Sequence, residues 1–215
     1  MSDWLVDVLT FAALGFLAVR LAGAARSAQR RDGRRITRAV LRRVGWRHVW
    51  PVPFVLTGVI GVATALVMVP GLDIGWWTLL GGTGNPVFGM SDSTAGTALE
   101  WIIPLAFIAL LIPALPLFAY SEERMFRYGA ERWSRRRRAW KLVQFGLVHT
   151  LIGIPIGVAL ALSVGGAYFM AVYLRRFDAC GSSAEATYES ARAHTVYNGI
   201  IVALVLVVVL IDAVA

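Results

Sequence analysis

Residues 99–120 read LEWIIPLAFIALLIPALPLFAY, and this stretch decides the fold class. Its single charge, Glu100, stands at the very start. About 20 apolar residues is the length an α-helix needs to cross the hydrocarbon core of a bilayer. Working outward, the pattern recurs. Residues 4–24 are apolar apart from Asp7 and Arg20, residues 51–72 carry no charge, and residues 191–214 are rich in Val, Ile and Leu. Residues 140–174 form an apolar stretch too long for one ordinary crossing, with Gly153, Pro155 and Gly157 inside it. It reads as two helices, about 140–153 and 155–175, joined by a tight break. The prediction is an all-α fold: a polytopic membrane helix bundle of six transmembrane helices, two of them short, with residues 1–215 as one integral membrane domain.

Composition agrees. The 215 residues are 58% hydrophobic and 16% charged, with a mean hydropathy of +0.66. Soluble domains run near 45–50% apolar and about 25% charged, so composition points to a polytopic membrane protein over a soluble domain and excludes a disordered chain. Cys180 is the only cysteine, which excludes an intramolecular disulfide and a cysteine metal cluster. The first apolar run lacks the basic flank and small-residue cleavage site of a signal peptide and is read as a retained helix.

The net charge of +8 is concentrated in short segments. Residues 25–48 hold nine arginines, and residues 124–141 hold seven arginines and one lysine. Arg175 and Arg176 close the fifth run, whereas residues 72–98 hold no Lys or Arg and carry Asp73 and Asp92. Six crossings put every basic segment on one side, which the positive-inside rule makes cytoplasmic, with both termini outside. The arginine runs fit anionic lipid headgroups better than nucleic acid, since no aromatic residues are interleaved to stack bases. Trp76 and Trp77 read as interfacial anchors.

Ionisable groups within or bordering a membrane span are costly and point to function. Glu122 and Glu123 end the third run, His149 lies in the fourth, and His194 and Asn198 open the sixth. All enter from the basic side. His48, in the first basic segment, reads as unremarkable. Glu123 and Arg127 are four residues apart with the acid first, the favourable order for a helical ion pair. Glu122 is then rotated about 100° away and free to face a cavity. Phe145 and His149, and His194 and Asn198, repeat the same spacing. A carboxylate that takes a proton from water, an imidazole that holds or polarises that water, and a second imidazole and an amide that stabilise an oxyanion are the parts needed to hydrolyse an amide.

Glu122-Glu123-x-x-x-Arg127, Phe145-x-x-x-His149 and His194-x-x-x-Asn198, in that order, resemble the motifs of the CPBP intramembrane protease family, which includes the type II CAAX prenyl endopeptidases. Residues 122–129, EERMFRYG, are similar to the family's EExxFR segment, and the resemblance covers about residues 100–205. It implies an endopeptidase in the plasma membrane, acting near the cytoplasmic face on a peptide or protein substrate, lipidated in the CAAX case. It implies Glu122 as general base, acting with His149 on the attacking water; it implies His194 and Asn198 as the groups that bind the oxyanion, and Glu123, Arg127 and Phe145 as orienting groups. A competing metal reading makes Glu122, His149 and His194 ligands of a zinc ion. Two further classes stay open: a non-catalytic scaffold or immunity-type protein with the same architecture, and a small transporter using Glu and His as a proton relay.

Overall fold

The computed structural model describes residues 3–79 and 96–214, and all the secondary structure among them is helical. Asp92 and the rest of residues 80–95, part of the acidic loop expected from the sequence, lie outside the described residues. The helices are α1 (Asp3–Gln29), α2 (Arg31–Leu41), α3 (Trp46–Val49), α4 (Val52–Val67), α5 (Trp76–Leu79), α6 (Leu99–Phe126), α7 (Arg135–Leu147), α8 (Ile156–Cys180) and α9 (Ser183–Val214). Four helical segments among the described residues are long and apolar enough to cross a bilayer: Trp46–Val67, Leu99–Arg132, Ile156–Cys180 and Ser183–Val208.

α6 keeps its helix through Pro104, Pro113 and Pro116. Interior prolines are tolerated in a bilayer helix where neighbouring helices and small local backbone adjustments re-satisfy the freed carbonyls. It ends at Phe126, one residue before Arg127, rather than running on. The reversal to α7 takes only residues 127–134. Three bonds to one carboxylate and its neighbour hold it: the Tyr173 hydroxyl donates to Glu131 at 2.8 Å, the Ser183 hydroxyl donates to Glu131 at 2.8 Å, and the Gly129 N–H donates to the Tyr173 oxygen at 3.0 Å.

The long apolar stretch does divide in two at the expected place. α7 starts at Arg135, five residues before the predicted boundary, capped by Ser134, whose hydroxyl accepts from the Arg137 N–H. It tightens into a 3-10 turn over Val148–Ile152 and stops at Gly153, whose φ of 83° is open to glycine and strained for other residues. Pro155, which has no N–H to donate, then precedes α8. Trp77 is not a free interfacial anchor: its indole N–H donates to the Gly153 carbonyl at 2.8 Å and pins the break. The Ile156 and Gly157 N–H groups donate to the carbonyls of Ile74 and Leu72, so the start of α8 lies beside the chain leaving α4.

The basic segments converge at the opposite end of the bundle. Arg43 and Arg176 both approach Glu185 at 3.6 Å, and Arg47 meets Glu189 at 2.9 Å. α9 begins at Ser183, eight residues before the apolar run at 191, because its polar first turns are buried against these cations. The core between α4, α6, α7, α8 and α9 is built from Val52, Phe126, Phe145, Phe169, Ala193 and Tyr197.

Candidate active site

At the C-terminal end of α6, two consecutive carboxylates separate. Glu123 is fully buried, and Glu122 is about a quarter exposed. The 100° turn per residue sends one into the bundle and leaves the other at its border.

Glu123 organises the buried part. Its Oε1 accepts from Arg127 Nη1 at 2.8 Å and from His194 Nδ1 at 2.9 Å, and the Ser190 hydroxyl contacts its Oε2. Ser190 has one hydroxyl proton and a second acceptor, the Phe169 carbonyl, at 2.8 Å. Arg127 is also fully buried, and its Nη2 reaches the Gly166 carbonyl at 3.4 Å. Four helices thus meet on one ion pair: α6 supplies Glu123 and carries Arg127 at its C-cap, α9 supplies Ser190 and His194, α8 supplies the Gly166 carbonyl, and α7 supplies a phenyl ring beneath the guanidinium.

That ring is Phe145. The Arg127 guanidinium lies 4.2 Å from its centroid, a favourable cation–π distance in a desolvated place. His149 and His194 both pack edge-on to the same ring, with centroids 5.2 and 5.5 Å away, so the two imidazoles flank one side chain. His194 is further stacked on Phe169 at 4.3 Å. Gly166 makes the closeness possible: a Cβ there would stand 2.8 Å from a Phe145 ring carbon and 3.2 Å from Arg127 Nη2.

Hydrogen-bond partners settle the tautomers. A carboxylate can only accept, so His194 carries its hydrogen on Nδ1 toward Glu123. Its Nε2 faces Glu122, whose Oε2 is 3.7 Å away. That gap exceeds hydrogen-bonding distance. The Glu122 Oε2 atom is buried and has no hydrogen-bond partner among the described residues. His149 Nδ1 donates to the Phe145 carbonyl at 2.8 Å, which leaves Nε2 as its free lone pair. Asn198 is half-buried, one turn beyond His194, and its side chain makes no hydrogen bond among the described residues.

The three donors of the metal reading are not gathered. Glu122 and His194 face each other, but no group of three His, Cys, Asp or Glu side chains suited to a metal exists among the described residues. A resident zinc takes at least three protein ligands, so these residues do not fit one.

Ser190, Gly166 and Phe169 were not singled out from the sequence. Ser190 lies one turn before His194, so the pattern Ser190-x-x-x-His194-x-x-x-Asn198 held a readable signal. Gly166 and Phe169 act across helices and had none. His48 also proves to be more than a loop residue. It is buried, accepts at Nδ1 from the Gly45 N–H, and donates from Nε2 to Glu189 at 3.2 Å. It fastens the start of the Trp46–Val67 segment to α9.

Chemically, the arrangement offers a carboxylate oxygen and an imidazole lone pair facing a common gap, with the imidazole fixed from behind. Comparison with family models, curated proteins and solved structures gives no match, so the resemblance to the CPBP family rests on these motif residues alone.

Proposed function

We propose that the chain is an integral membrane endopeptidase of the CPBP type, which hydrolyses a peptide bond with a water activated by Glu122. The observation that carries this reading is the unpartnered, buried Oε2 of Glu122, 3.7 Å from the lone-pair nitrogen of His194. A buried acceptor without a partner costs about 1–3 kcal/mol, a cost that a water bound in the gap would remove. A water oxygen at ordinary hydrogen-bond distance from both atoms closes a triangle across the gap.

In the proposed reaction the water oxygen attacks the scissile carbonyl while Glu122 takes its proton and later delivers it to the leaving amine. With Nδ1–H committed to Glu123, neutral His194 orients that water by accepting from it, and donates to an oxyanion only as an imidazolium. His149, with Nδ1–H committed to Phe145, is constrained in the same way. The Asn198 amide is therefore the neutral donor for the oxyanion. Glu123, Arg127 and Phe145 hold the imidazoles in place. The substrate is a peptide or protein, and lipid is the surrounding solvent.

The proposed topology has six crossings, with the termini outside and the site toward the cytoplasm of a plasma membrane. The 13 residues of α7 rise about 20 Å, and the 3-10 turn after it adds about 10 Å. Arg135 to Arg138 belong at the headgroups, so the remaining length, about 24 Å, makes one of the short crossings. Convergence of the arginine-bearing ends supports the orientation through the positive-inside rule.

The test is digestion of a peptide library by the purified chain in proteoliposomes, read by mass spectrometry, with Glu122→Gln alongside. The expected result is a loss of at least about 100-fold in the variant, in the range lost with a general base, with unchanged thermal unfolding. Undiminished cleavage by the variant would overturn the reading. One observation favours a non-catalytic scaffold instead: the Glu123, Arg127, Ser190 and His194 network already serves to tie helices together. A cellular phenotype that survives joint loss of Glu122 and His149 would select that second reading.

A further inference from the structure

Around the corner of α9 from the carboxylate pair lies a second polar site that the proposed reaction does not use. A cavity of about 540 Å³ opens between α2 and α9, lined by Ala39, Arg42, Arg43, Glu185, Tyr188 and Arg192. Its floor is Arg192, 3% exposed. Both terminal nitrogens of this guanidinium are partnered, Nη1 donating to Glu189 at 2.8 Å and Nη2 to the Ala39 carbonyl at 3.1 Å, and its carbon lies 6.0 Å from the Tyr188 ring centroid. Its Nε–H is buried and has no partner among the described residues. Glu189 has little charge left to offer, since Arg47 at 2.9 Å and His48 at 3.2 Å share its other oxygen.

The rim is cationic as well. Arg42 and Arg43 are exposed at the end of α2. Glu185 is the one carboxylate in the lining, and its Oε2 stands 3.6 Å from both Arg43 and Arg176, too far for a hydrogen bond to either. Three guanidiniums against one carboxylate leave the cavity short of negative charge. Forked guanidinium donors match the oxygens of a phosphate. The cavity sits at the end of the bundle where the basic segments gather, and Tyr188 at its edge stacks on Tyr120 at 5.0 Å.

We infer that this cavity binds the phosphate of an anionic phospholipid headgroup, with Arg192 as the buried anchor and Arg42 and Arg43 closing over it. A second arginine cluster supplies the control. Arg31, Arg34, Arg35 and Arg38 line the outer face of α2 with Asp32, and every one of these arginines is exposed. Diffuse attraction to a charged surface uses both clusters, and a built site uses only the first.

The experiment titrates the full chain in neutral detergent with phosphatidylglycerol and phosphatidylcholine, read by native mass spectrometry. Wild type is compared with Arg42→Gln/Arg43→Gln and with Arg31→Gln/Arg34→Gln. All four positions are exposed, so folding is preserved, and thermal unfolding checks it. The expected result is preference for phosphatidylglycerol, weakened roughly tenfold or more by loss of Arg42 and Arg43 and less than about twofold by loss of Arg31 and Arg34. Equal weakening in both pairs overturns the site in favour of diffuse charge. Inorganic phosphate that competes for the cavity as tightly as the lipid, with the same arginine dependence, overturns the headgroup in favour of a free anion.

Discussion

Gly165 and Gly166 are neighbours in one helix and offer a controlled test of the packing at the site. Replacing either with alanine gains the same helix propensity, about 0.8–1.0 kcal/mol. Their surroundings differ. A Cβ at Gly165 meets Tyr197 at 3.8 Å, an ordinary contact. A Cβ at Gly166 stands 2.8 Å from Phe145 Cδ1 and 3.2 Å from Arg127 Nη2. Phe145 cannot simply swing away, because Phe126 at 5.6 Å, Phe169 at 6.1 Å and both imidazoles pack around it. Overpacking of this kind costs about 1–3 kcal/mol. Gly165→Ala is therefore expected to stabilise by up to about 1 kcal/mol. Gly166→Ala is expected to lie about 1–3 kcal/mol below it. At about 2–4 °C per kcal/mol for a chain of this size, the two variants should differ by roughly 2–12 °C in Tm. Thermal unfolding in detergent, followed by helical circular dichroism, reads this directly. Equal shifts for the two variants would refute the argument that Phe145 is wedged against Gly166.

Two more outcomes follow from the buried network. Arg127→Met leaves Glu123 charged and without its cation, a loss of about 3–5 kcal/mol. Adding Glu123→Gln to that variant should recover part of the loss in the same unfolding assay, and a purely additive double variant would show that the two residues are not coupled. Metal analysis of the purified chain should find zinc far below stoichiometric, since only Glu122 and His194 face each other. A stoichiometric ion that disappears in Glu122→Gln would refute that.

What the sequence shows about this site is what a helix determines locally. The Glu123–Arg127 pair, the rotation of Glu122 away from it, and the contact of Phe145 with His149 all follow from residues four or one apart. The break near Gly153 was equally legible, because glycine and proline act on their own backbone. The start of α9 was not. Residues 183–190 look too polar for an apolar bundle until Arg43, Arg47 and His48, more than a hundred residues earlier, come to meet Glu185 and Glu189. Ser190 and Gly166 were hidden for the same reason: each matters only through a partner on another helix. Hydropathy likewise found the α7 stretch but missed its first turn, since Arg135 to Arg138 score as loop and still begin a helix capped by Ser134.

The position of α9 in the chain has a consequence for biosynthesis. This helix follows every other described helix in sequence, and it carries Ser190, His194, Glu185 and Glu189. Until the ribosome delivers it, Glu123 has only Arg127 as a partner, Glu122 faces no imidazole from α9, and Arg43, Arg47 and Arg176 lack the acids that receive them. A nascent chain stopped before α9 therefore presents unmatched charges at the end of the bundle where the basic segments gather. Packing of α9 supplies partners for those charges and brings His194 to Glu122 in the same event, so the ion-pair network and the carboxylate–imidazole pair are assembled together.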